Sequence, residues 1–547
     1  MQRLFKVVSL LPAVVLFALS GYAKDIIIYH TSDTHGHYFS RPDENGIPFG
    51  GFARLESFLQ QSEHPFILLD SGDFSNGSEE ANSSKGAYSI YLMNNAGKTD
   101  KNFKKSGYAA LTIGNHDTDS GDKRLKTMLS SFKGDVLASN LTGLSVPNNP
   151  IKKSAIYDVD GVKIGVIGVA LNGVGAERMQ ITTPREEVLL SEINKLKEQK
   201  ADVLVILAHD SMMETGVSDD KKTVLLSQLK NYEGFADVDL LLGGHAHKQF
   251  IKRAEENKDS TPWMVESRAY VEGVTQILIH KDDTTGEITV GTPQYVALYM
   301  PEDPSVRQYL DLIRKKSLDK TVYAFVPQRI PKYPENSADR APARARMMAQ
   351  EMYQEIKPKE PGLDLAAYSL NSTRSDLNAG KVTGRALAEL VPYDEHAGTF
   401  DITGLHLKRA VTESLQYDKE FGCFSVYGYS DNVRISFTCG KNGKNIRLDK
   451  ITINGEEVKN GKVYRMAMLT HLPRGFYEGN PIEVLPPNIP DDGSVIKHYR
   501  DLTSSALLFN IVEDLRQEGT ALFLAPTDVQ ITQLDRVAPA TDATAQK

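Results

Sequence analysis

The chain has 547 residues, of which 40% are hydrophobic and 24% charged, and its formal net charge is −8. This composition is typical of a globular protein with about two domains, and it excludes a disordered or fibrous chain. The charge disfavours binding to a nucleic-acid polymer, because the basic surface that such binding requires is missing. An anionic substrate would need a local positive feature, such as a metal ion or a few arginines.

Residues 1–23 have the pattern of a secretory signal peptide. Arg3 and Lys6 precede a mostly apolar run at 7–19, and small residues lie just before the expected cleavage after Ala23. The run is shorter than the roughly 20 apolar residues that span a bilayer, which disfavours the alternative of a membrane anchor. The polar residues 537–547 are predicted to be a disordered tail. We therefore expect a soluble protein, periplasmic or secreted, without a stable membrane anchor.

Residues 24–300 repeat one theme, a short apolar run followed by Gly, Asp, Asn or His. Such runs, bounded by turn formers, indicate strands that are buried on both faces, as in "PFILLDSGD", "YAALTIGNHD", "ADVLVILAHD" and "VDLLLGGHAH". Helical stretches lie between some of them, notably "GGFARLESFLQQ" and "REEVLLSEINKLKEQK", and this alternation predicts a layered α/β fold. Hairpins are expected to turn at Asp160-Gly161 and near Thr284.

The character of the chain changes after residue 300. The segment 301–345 combines a charged helix with a proline-rich stretch, and we interpret it as a linker helix and hinge segment between two domains. Residues 346–536 have their own strands, helices and turns, which indicates a second, smaller α/β domain.

The two cysteines of the chain flank the turn-forming stretch "SDN". A hairpin folded there would place Cys423 opposite Cys439. In an exported protein a disulfide is favoured over the alternative of two buried thiols.

Side chains that can bind a metal follow five separate predicted strands: Asp33, His35, Asp73, Asn115, His116, His209, His245 and His247. A single histidine at a strand end is usually structural, but the carboxyl ends of strands in an open α/β sheet face a common crevice. Carboxylate and imidazole ligands suit Mn, Zn or Fe in the +2 state, and a shared aspartate can bridge two ions. The pattern therefore predicts a site for two divalent metal ions.

The motifs "DTH", "SGD", "GNHDTD", "AHD" and "GHAH", in this order, resemble those of the calcineurin-like metallophosphoesterases. The last Asp of "GNHDTD", the export signal and the second domain make the chain similar to the 5′-nucleotidase branch. The resemblance implies a four-layer α/β/β/α catalytic domain at 24–300, followed by a smaller α/β substrate domain of the 5′-nucleotidase type. Asp117 stands where many relatives have Glu, a change that keeps the charge.

The resemblance also implies a role for each residue of the metal site. One ion would be held by Asp33, His35 and His247, the other by Asn115, His209 and His245, with Asp73 as the bridge. His116 and Asp119 resemble the catalytic pair of the family. An imidazole oriented by a carboxylate can carry positive charge toward a phosphoryl group or its leaving oxygen.

In the second domain the resemblance is less complete. Asn371 and Arg374 match a polar pair that grips phosphate, although the loop is shorter and lacks the glycines of the family. Phe424 matches the first aromatic that stacks on a base, whereas His471 stands where a second Phe is expected.

These observations predict an exported phosphohydrolase that releases phosphate from nucleoside 5′-monophosphates or related organic phosphates. Its partner would be a small phosphoester, and the protein would be a monomer or a weak dimer. The altered pocket leaves open a nucleotide-sugar or 2′,3′-cyclic-nucleotide phosphodiesterase, or a sulfur-compound hydrolase, on the same scaffold. A non-catalytic surface protein that binds metal is an alternative of a different class.

Overall fold

The computed structural model describes residues 23–534 except 44, 98–106, 120, 172–178, 183–185, 213–232, 256–260, 318–321, 328, 335–338, 394, 471–494 and 518–529. The predicted tail, and the predicted signal peptide apart from Ala23, lie outside the described residues. Within the described ranges, no helix combines the length and the apolar character needed to cross a bilayer.

The first half of the chain contains seventeen strands and six α-helices among the described residues. The strands are β1 Ala23–Thr31, β2 Arg41–Pro42, β3 Pro48–Phe49, β4 Phe66–Asp70, β5 Ala110–Leu111, β6 Asp135–Val136, β7 Leu141–Thr142, β8 Ser154–Val159, β9 Val162–Val169, β10 Gln180–Ile181, β11 Val203–Ala208, β12 Leu240–Gly243, β13 Phe250–Arg253, β14 Trp263–Glu266, β15 Gly273–Asp282, β16 Ile288–Val290 and β17 Gln294–Ala297. The helices are α1 Phe52–Leu59, α2 Glu79–Ser83, α3 Ala87–Asn95, α4 Gly121–Leu129, α5 Glu186–Glu198 and α6 Pro304–Ser317, and short 3-10 helices lie at His116–Thr118 and Glu233–Asp237.

The described residues of the second half form thirteen strands and four α-helices. The strands are β18 Val322–Val326, β19 Leu365–Ser369, β20 Gly380–Thr383, β21 His396–Thr403, β22 Leu415–Asp418, β23 Gly422–Ser425, β24 Tyr427–Tyr429, β25 Val433–Thr438, β26 Arg447–Ile453, β27 Glu456–Glu457, β28 Val463–Leu469, β29 Lys497–Thr503 and β30 Ile531–Leu534. The helices are α7 Ala343–Ile356, α8 Gly384–Leu390, α9 Gly404–Ser414 and α10 Ser504–Gln517, with 3-10 helices at Leu370–Ser372 and Lys441–Gly443.

Two large sheets form the first half. One has the order β16-β15-β1-β4-β5-β6, with β17 also paired to β15, and the other has the order β13-β14-β12-β11-β9-β8. The strands β1, β4, β5 and β6 are parallel, and so are β9, β11, β12 and β14. Both predicted hairpins are confirmed, β8–β9 and β15–β16. The first turns through Asp160 and Gly161, whose φ angles of 51° and 84° are those of a type I′ turn.

Three hydrophobic cores separate the layers of this half. Ile28 and Leu69 of one sheet face Val205 and Leu242 of the other in the core between the sheets. A second core lies between the first sheet and helices that include α1 and α4, and a third lies between the second sheet and α5. The apolar runs of the sequence fold as central strands because both of their faces are buried in this way. The order of layers is α/β/β/α, as predicted.

The second half is a separate α/β unit with one extended core. A five-stranded sheet has the order β24-β19-β28-β21-β29, and a four-stranded sheet has the order β27-β26-β25-β30. The predicted linker divides between the two halves. In α6, Leu310 and Ile313 belong to the first sheet's helix-covered core, whereas β18 pairs with β20 of the second half. The residues between α6 and β18 lie outside the described part of the chain.

Cys423 and Cys439 are joined in a disulfide, which confirms their predicted pairing. The hairpin that was expected to bring them together is wrong. β23 pairs with β22, whereas β25 pairs with β26 and β30. Because β25 buries Val433, Ile435 and Phe437 on one face, the packing of that face draws the strand into the four-stranded sheet, away from β23.

Candidate metal centre

The carboxyl ends of the parallel strands in both sheets meet at one edge of the first half. From the first sheet, Asp33 and His35 follow β1, Asp73 follows β4, and Asn115 and His116 follow β5. From the second sheet, His209 follows β11, and His245 and His247 follow β12. The structure therefore brings together side chains that are more than two hundred positions apart in the sequence.

One group of possible ligands consists of Asp33, His35 and His247. One donor atom from each lies within 4.8 Å of the others. The Nε2 atoms of His35 and His247 are 3.0 Å apart, and Nε2 of His247 is 3.5 Å from Oδ1 of Asp33. Two imidazole nitrogens and a carboxylate oxygen that converge in this way are a donor set for a divalent transition metal.

The second group consists of Asp73, His209 and His245, whose donor atoms also lie within 4.8 Å of one another. Oδ2 of Asp73 is 3.1 Å from Nε2 of His209. The side chain of Asn115 joins this group, since its Oδ1 is 3.1 Å from Nδ1 of His245. The ligand set that the resemblance implies for the second ion is thus assembled in one place.

Asp73 lies between the two groups. Its Oδ2 atom is 3.6 Å from Nε2 of His35 in the first group, in addition to its contact with His209 in the second. Burial opposes charge on both Asp73 and His209, but their contact lowers the pKa of Asp73 and raises the pKa of His209 to about 10. A carboxylate that stabilises positive charge on its neighbour can stabilise a cation in the same place.

Two buried atoms of this pair support the fit to a cation. Oδ2 of Asp73 and Nε2 of His209 are out of contact with solvent, and apart from their mutual contact of 3.1 Å neither forms a hydrogen bond with the described residues. Burying polar atoms with so few partners is costly, and an ion bound by both atoms would supply the missing interaction.

In three of the predicted histidine ligands an oxygen atom lies close to Nδ1, the ring nitrogen that points away from the other ligands. Nδ1 of His35 is 2.8 Å from the carbonyl oxygen of Asn76, and Nδ1 of His209 is 2.6 Å from that of Ser71. Since a carbonyl oxygen only accepts, Nδ1 carries the proton and Nε2 keeps its lone pair for a metal. The hydroxyl of Tyr270 is 3.2 Å from Nδ1 of His247.

The backbone at the site is strained. Five of the predicted ligands have left-handed φ angles, namely Asp33 (52°), His35 (45°), Asp73 (56°), His245 (75°) and His247 (58°). Non-glycine residues seldom adopt such angles, and they cluster where the surrounding structure fixes a functional geometry. The strand ends therefore turn sharply so that these side chains point at one another.

Asp117 holds two of these turns together, a role that the sequence did not reveal. Its Oδ2 atom accepts hydrogen bonds from the backbone N–H groups of Asp73 and Gly114, both at 2.9 Å. Its Oδ1 atom accepts from the N–H groups of Phe74 and Ser75, both at 3.1 Å. The carboxylate is buried, and it links the loop after β4 to the loop after β5.

His116 and Asp119 form a close pair beside the metal residues. Nδ1 of His116 is 2.7 Å from Oδ2 of Asp119, which also accepts a hydrogen bond of 3.2 Å from the side chain of Asn76. Burial lowers the pKa of His116, but the carboxylate of Asp119 outweighs that effect and raises it. The pair can therefore hold a proton on an imidazole within the site.

The second half of the chain contributes Tyr393 and Arg374 to this site. The ring of Tyr393 stacks on His116, and the guanidinium carbon of Arg374 lies 4.9 Å from the centre of the Tyr393 ring. After the effects of burial and neighbouring charges, the positive charge of Arg374 lowers the pKa of His35 further. Arg374 was predicted from its motif, whereas Tyr393 was not; its signal was the "LVPY" ending of α8.

The other predicted substrate residues are less informative. Asn371 lies half-buried on the 3-10 helix after β19. Phe424 is buried in the core of the second half, with its ring edge-on to Tyr333 at 5.7 Å, and His471 lies outside the described residues. The half-buried aromatic stack near Phe424 is formed by Tyr333 and Phe421, whose ring centres are 4.6 Å apart. The predicted pairing of Phe424 with His471 across a base stays a prediction.

A cavity of about 450 Å³ lies where the two halves meet. The first half lines it with polar side chains, including Asn76, Asp119 and Arg124. The second half lines it mostly with apolar residues, including Leu387 and Val391, together with Tyr323 and Ser505. Its volume is within the range of small-molecule sites.

Comparison with known proteins gives two family matches. Residues 26–249 match the calcineurin-like phosphoesterase family, and residues 334–478 match the 5′-nucleotidase C-terminal domain. Together these cover most of both halves, and their order is the one predicted.

Individual relatives have low sequence identity to this chain, but the similarity extends over most of its length. The chain is 22% identical to an apyrase of Tabanus yao, over 70% of this chain and 72% of that protein. It is also 22% identical to the NAD 5′-nucleotidase of Haemophilus influenzae, over 90% of this chain and 94% of that protein. It spans less than half the length of several other curated relatives. The solved structure of a 5′-nucleotidase precursor from Thermus thermophilus has the same fold, with a TM-score of 0.69 at 18% identity over 93% of this chain and 99% of that one.

Proposed function

Since the chain belongs to the calcineurin-like phosphoesterases with a 5′-nucleotidase C-terminal domain, and is a metal-dependent phosphoester hydrolase, we propose that it is an exported, dimetal phosphohydrolase. Its substrates would be nucleoside 5′-monophosphates or related organic phosphates. The observation that carries this proposal is the position of Asp73, whose Oδ2 atom lies within 3.6 Å of a histidine from each ligand group.

In this proposal Asp33, His35 and His247 hold one ion and Asn115, His209 and His245 hold the other, with Asp73 shared. Two such ions would supply an acidified water as nucleophile and polarise the phosphoryl oxygens. The ligands suit Mn, Zn or Fe equally, so the metal's identity is a matter for analysis of the purified protein.

The chain's own residues have separate tasks. Asp119 holds a proton on Nδ1 of His116, so that the imidazole faces the reacting phosphoryl group as a cation or as a proton donor to the leaving oxygen. Arg374 supplies positive charge beside the ring of Tyr393, which stacks on this imidazole. In a chain with a net charge of −8, this local positive charge is what attracts a phosphate ester to the site.

The nucleotide part of the proposal is supported by the family of the second half and by the cavity between the halves. A cavity with polar groups on one side and apolar groups on the other suits a leaving group of nucleoside size. Export is supported by the pattern of residues 1–23.

Rates on four compounds test the substrate class: AMP, UDP-glucose, a 2′,3′-cyclic nucleotide and an aryl phosphate, each with and without added Mn²⁺. We expect Mn²⁺-dependent release of phosphate with AMP preferred. A preference for the aryl phosphate over AMP would refute the nucleoside assignment, and a preference for the diester or the nucleotide sugar would favour phosphodiesterase activity.

The variant His116→Asn separates catalysis from metal binding. We expect its turnover of AMP to fall by about 10²- to 10⁴-fold, because a positioned acid or base contributes about that factor. Its metal content should match the wild type. If the wild type binds metal but hydrolyses none of the four esters, the proposed function fails. Export is tested by expressing the full chain and sequencing the N-terminus of the mature protein, which is expected to begin at Lys24.

A further inference from the structure

Tyr270 lies on the short segment between β14 and β15, beside the ligand group of Asp33, His35 and His247. Its hydroxyl oxygen is 3.2 Å from Nδ1 of His247, and the centres of the two rings are 5.3 Å apart. Since Nε2 of His247 faces Asp33 and His35, metal binding leaves the ring proton on Nδ1, which donates it to the phenolic oxygen. Tyr270 is thus the partner of the nitrogen that points away from the ion.

This contact differs from those of two other predicted ligands. Nδ1 of His35 and Nδ1 of His209 each lie beside a backbone carbonyl oxygen, which every residue type supplies. The oxygen beside His247 belongs to a side chain. An oxygen that holds the outer nitrogen of a ligating histidine orients the ring and raises its basicity. The orientation of His247 therefore depends on how firmly Tyr270 is itself held.

The backbone at Tyr270 is held in a strained conformation. Tyr270 and Val271 have left-handed φ angles of 65° and 54°. Such angles are uncommon for a tyrosine and are a clear outlier for a β-branched residue such as valine. The N–H of Tyr270 donates a hydrogen bond of 2.8 Å to the carbonyl of Asp33, and the N–H of Gly51 donates one of 2.9 Å to the carbonyl of Val271. These hydrogen bonds fix the segment next to the first turn of the metal centre.

Side chains also pack against the ring of Tyr270. The ring of His37 lies 4.3 Å from it, centre to centre, and the guanidinium carbon of Arg41 lies 4.9 Å from its centre. Arg41 forms an ion pair with the buried carboxylate of Glu272, which also pairs with Arg268 at 2.6 Å. A cation near the face of an aromatic ring is attracted to it, so Glu272 and Arg41 together restrict the ring of Tyr270.

We propose that Tyr270 is a positioning residue that fixes the imidazole of His247, and that Arg41 and Glu272 act on the same ligand through it. The affinity for the ion of Asp33, His35 and His247 then depends on this row of side chains, whereas the affinity for the other ion does not. The proposal rests on the proposed two-metal site, but its main test is a binding measurement that needs no turnover.

The variant Tyr270→Phe removes the oxygen and keeps the ring. Calorimetric titration of the metal-free wild type with Mn²⁺ should show two binding steps, of which one becomes about 10- to 100-fold weaker in Tyr270→Phe and the other stays within about threefold. In the background of His247→Ala, where the tyrosine has no ligand to hold, the same change should alter Mn²⁺ binding by less than about threefold. At saturating Mn²⁺ the KM for AMP should stay within about threefold of wild type.

The matched control is Tyr29→Phe, which removes a buried phenolic oxygen from the same half, one that is 3.0 Å from Ser62 and contacts no predicted ligand. It should leave both binding steps unchanged. The variant Arg41→Met removes the charge beside the ring of Tyr270 and should weaken the same step as Tyr270→Phe, by a smaller factor. Arg41 is 39% exposed, so this variant keeps the proposal testable if unfolding in urea shows that Tyr270→Phe does not fold.

Unchanged Mn²⁺ binding in Tyr270→Phe would overturn the proposal, and so would equal weakening of both steps, which would indicate a general loss of structure. An effect of the same size in the background of His247→Ala would also overturn it, because the tyrosine would then act by another route. A raised KM for AMP with unchanged Mn²⁺ binding would make the tyrosine a substrate contact, and unchanged binding in Arg41→Met would refute the part played by Arg41 and Glu272. If the wild type binds two ions but hydrolyses no phosphoester, the proposed function fails, while the titrations still decide whether Tyr270 supports His247.

Discussion

Replacing Asp117 with Asn tests whether one carboxylate holds the loops of the metal centre in place. Each carboxylate oxygen accepts two backbone N–H groups. Asparagine has the same shape but keeps only one acceptor oxygen, so its NH₂ group must face two N–H donors. A buried N–H group left without an acceptor costs about 1–3 kcal/mol, so two such groups predict a destabilisation of about 2–6 kcal/mol.

The single tryptophan of the chain makes this measurement specific to one half. Trp263 lies in β14 of the second sheet, so the fluorescence change during unfolding in urea reports the half that carries the metal centre. The variant Asp283→Asn is the control, because it makes the same chemical change on an exposed turn and should shift stability by less than about 0.5 kcal/mol.

For Asp117→Asn we expect the tryptophan transition to move to lower urea, together with weaker Mn²⁺ binding because the loop of Asp73 loses its anchor. A transition within about 0.5 kcal/mol of wild type would refute the reasoning, since the two N–H groups that face the amide would then cost nothing to leave without an acceptor.

Three further predictions are checked by hydrolysis rates, by the tryptophan transition and by calorimetry. Removing metal with a chelator should abolish hydrolysis and lower the tryptophan transition, and Mn²⁺ at 100 times its Kd should restore about 2.7 kcal/mol; an unchanged transition would argue against metal bound in this half. Burial raises the pKa of Glu360, but the hydrogen bonds that it accepts from Tyr499 and Arg465 outweigh this effect and lower the pKa from the usual 4.5 to about 2. The ionised Glu360 therefore stabilises the folded protein by about 1–2 kcal/mol after a discount for its exposure, fully above pH 4.5 and less and less as the pH falls toward 2. Calorimetry of Glu360→Gln should show that this loss of stability in acid has gone. Replacing Cys423 with Ser opens a disulfide with a sequence separation of 16, which should lower the stability of the second half by about 3 kcal/mol in calorimetry. We expect the two halves to unfold independently, so the tryptophan transition of the first half should not move. Movement of both transitions would contradict that expectation.

The layered fold was predictable because buried strands and metal ligands leave local signals. Apolar runs of four to six residues mark central strands, and Asp or His directly after them marks their carboxyl ends. Such signals are written within a few adjacent residues, so the residues of both ligand groups could be named in advance.

Contacts between distant segments left no comparable signal. Asp117 was visible only as a charge in a motif, whereas its four N–H donors come from two loops that meet only in the folded chain. Tyr393 lies more than 270 positions from His116, and a tyrosine in an apolar stretch predicts a core residue as readily as one that contacts a metal ligand. The same reasoning explains the wrong hairpin, because the partners of β25 were decided by its buried face and not by the turn beside it.

The sandwich of two sheets has a consequence for the chemistry. Each ligand group takes members from both sheets, so the gap of 3.1 Å between the side chains of Asp73 and His209 depends on the spacing of the two sheets at their edge. The thickness of the hydrophobic core between the sheets therefore sets the distance between the donor atoms. A substitution that changes the side-chain volume at Ile28 or Val205, in the core between the sheets, would alter that gap by fractions of an ångström and so change the affinity for metal.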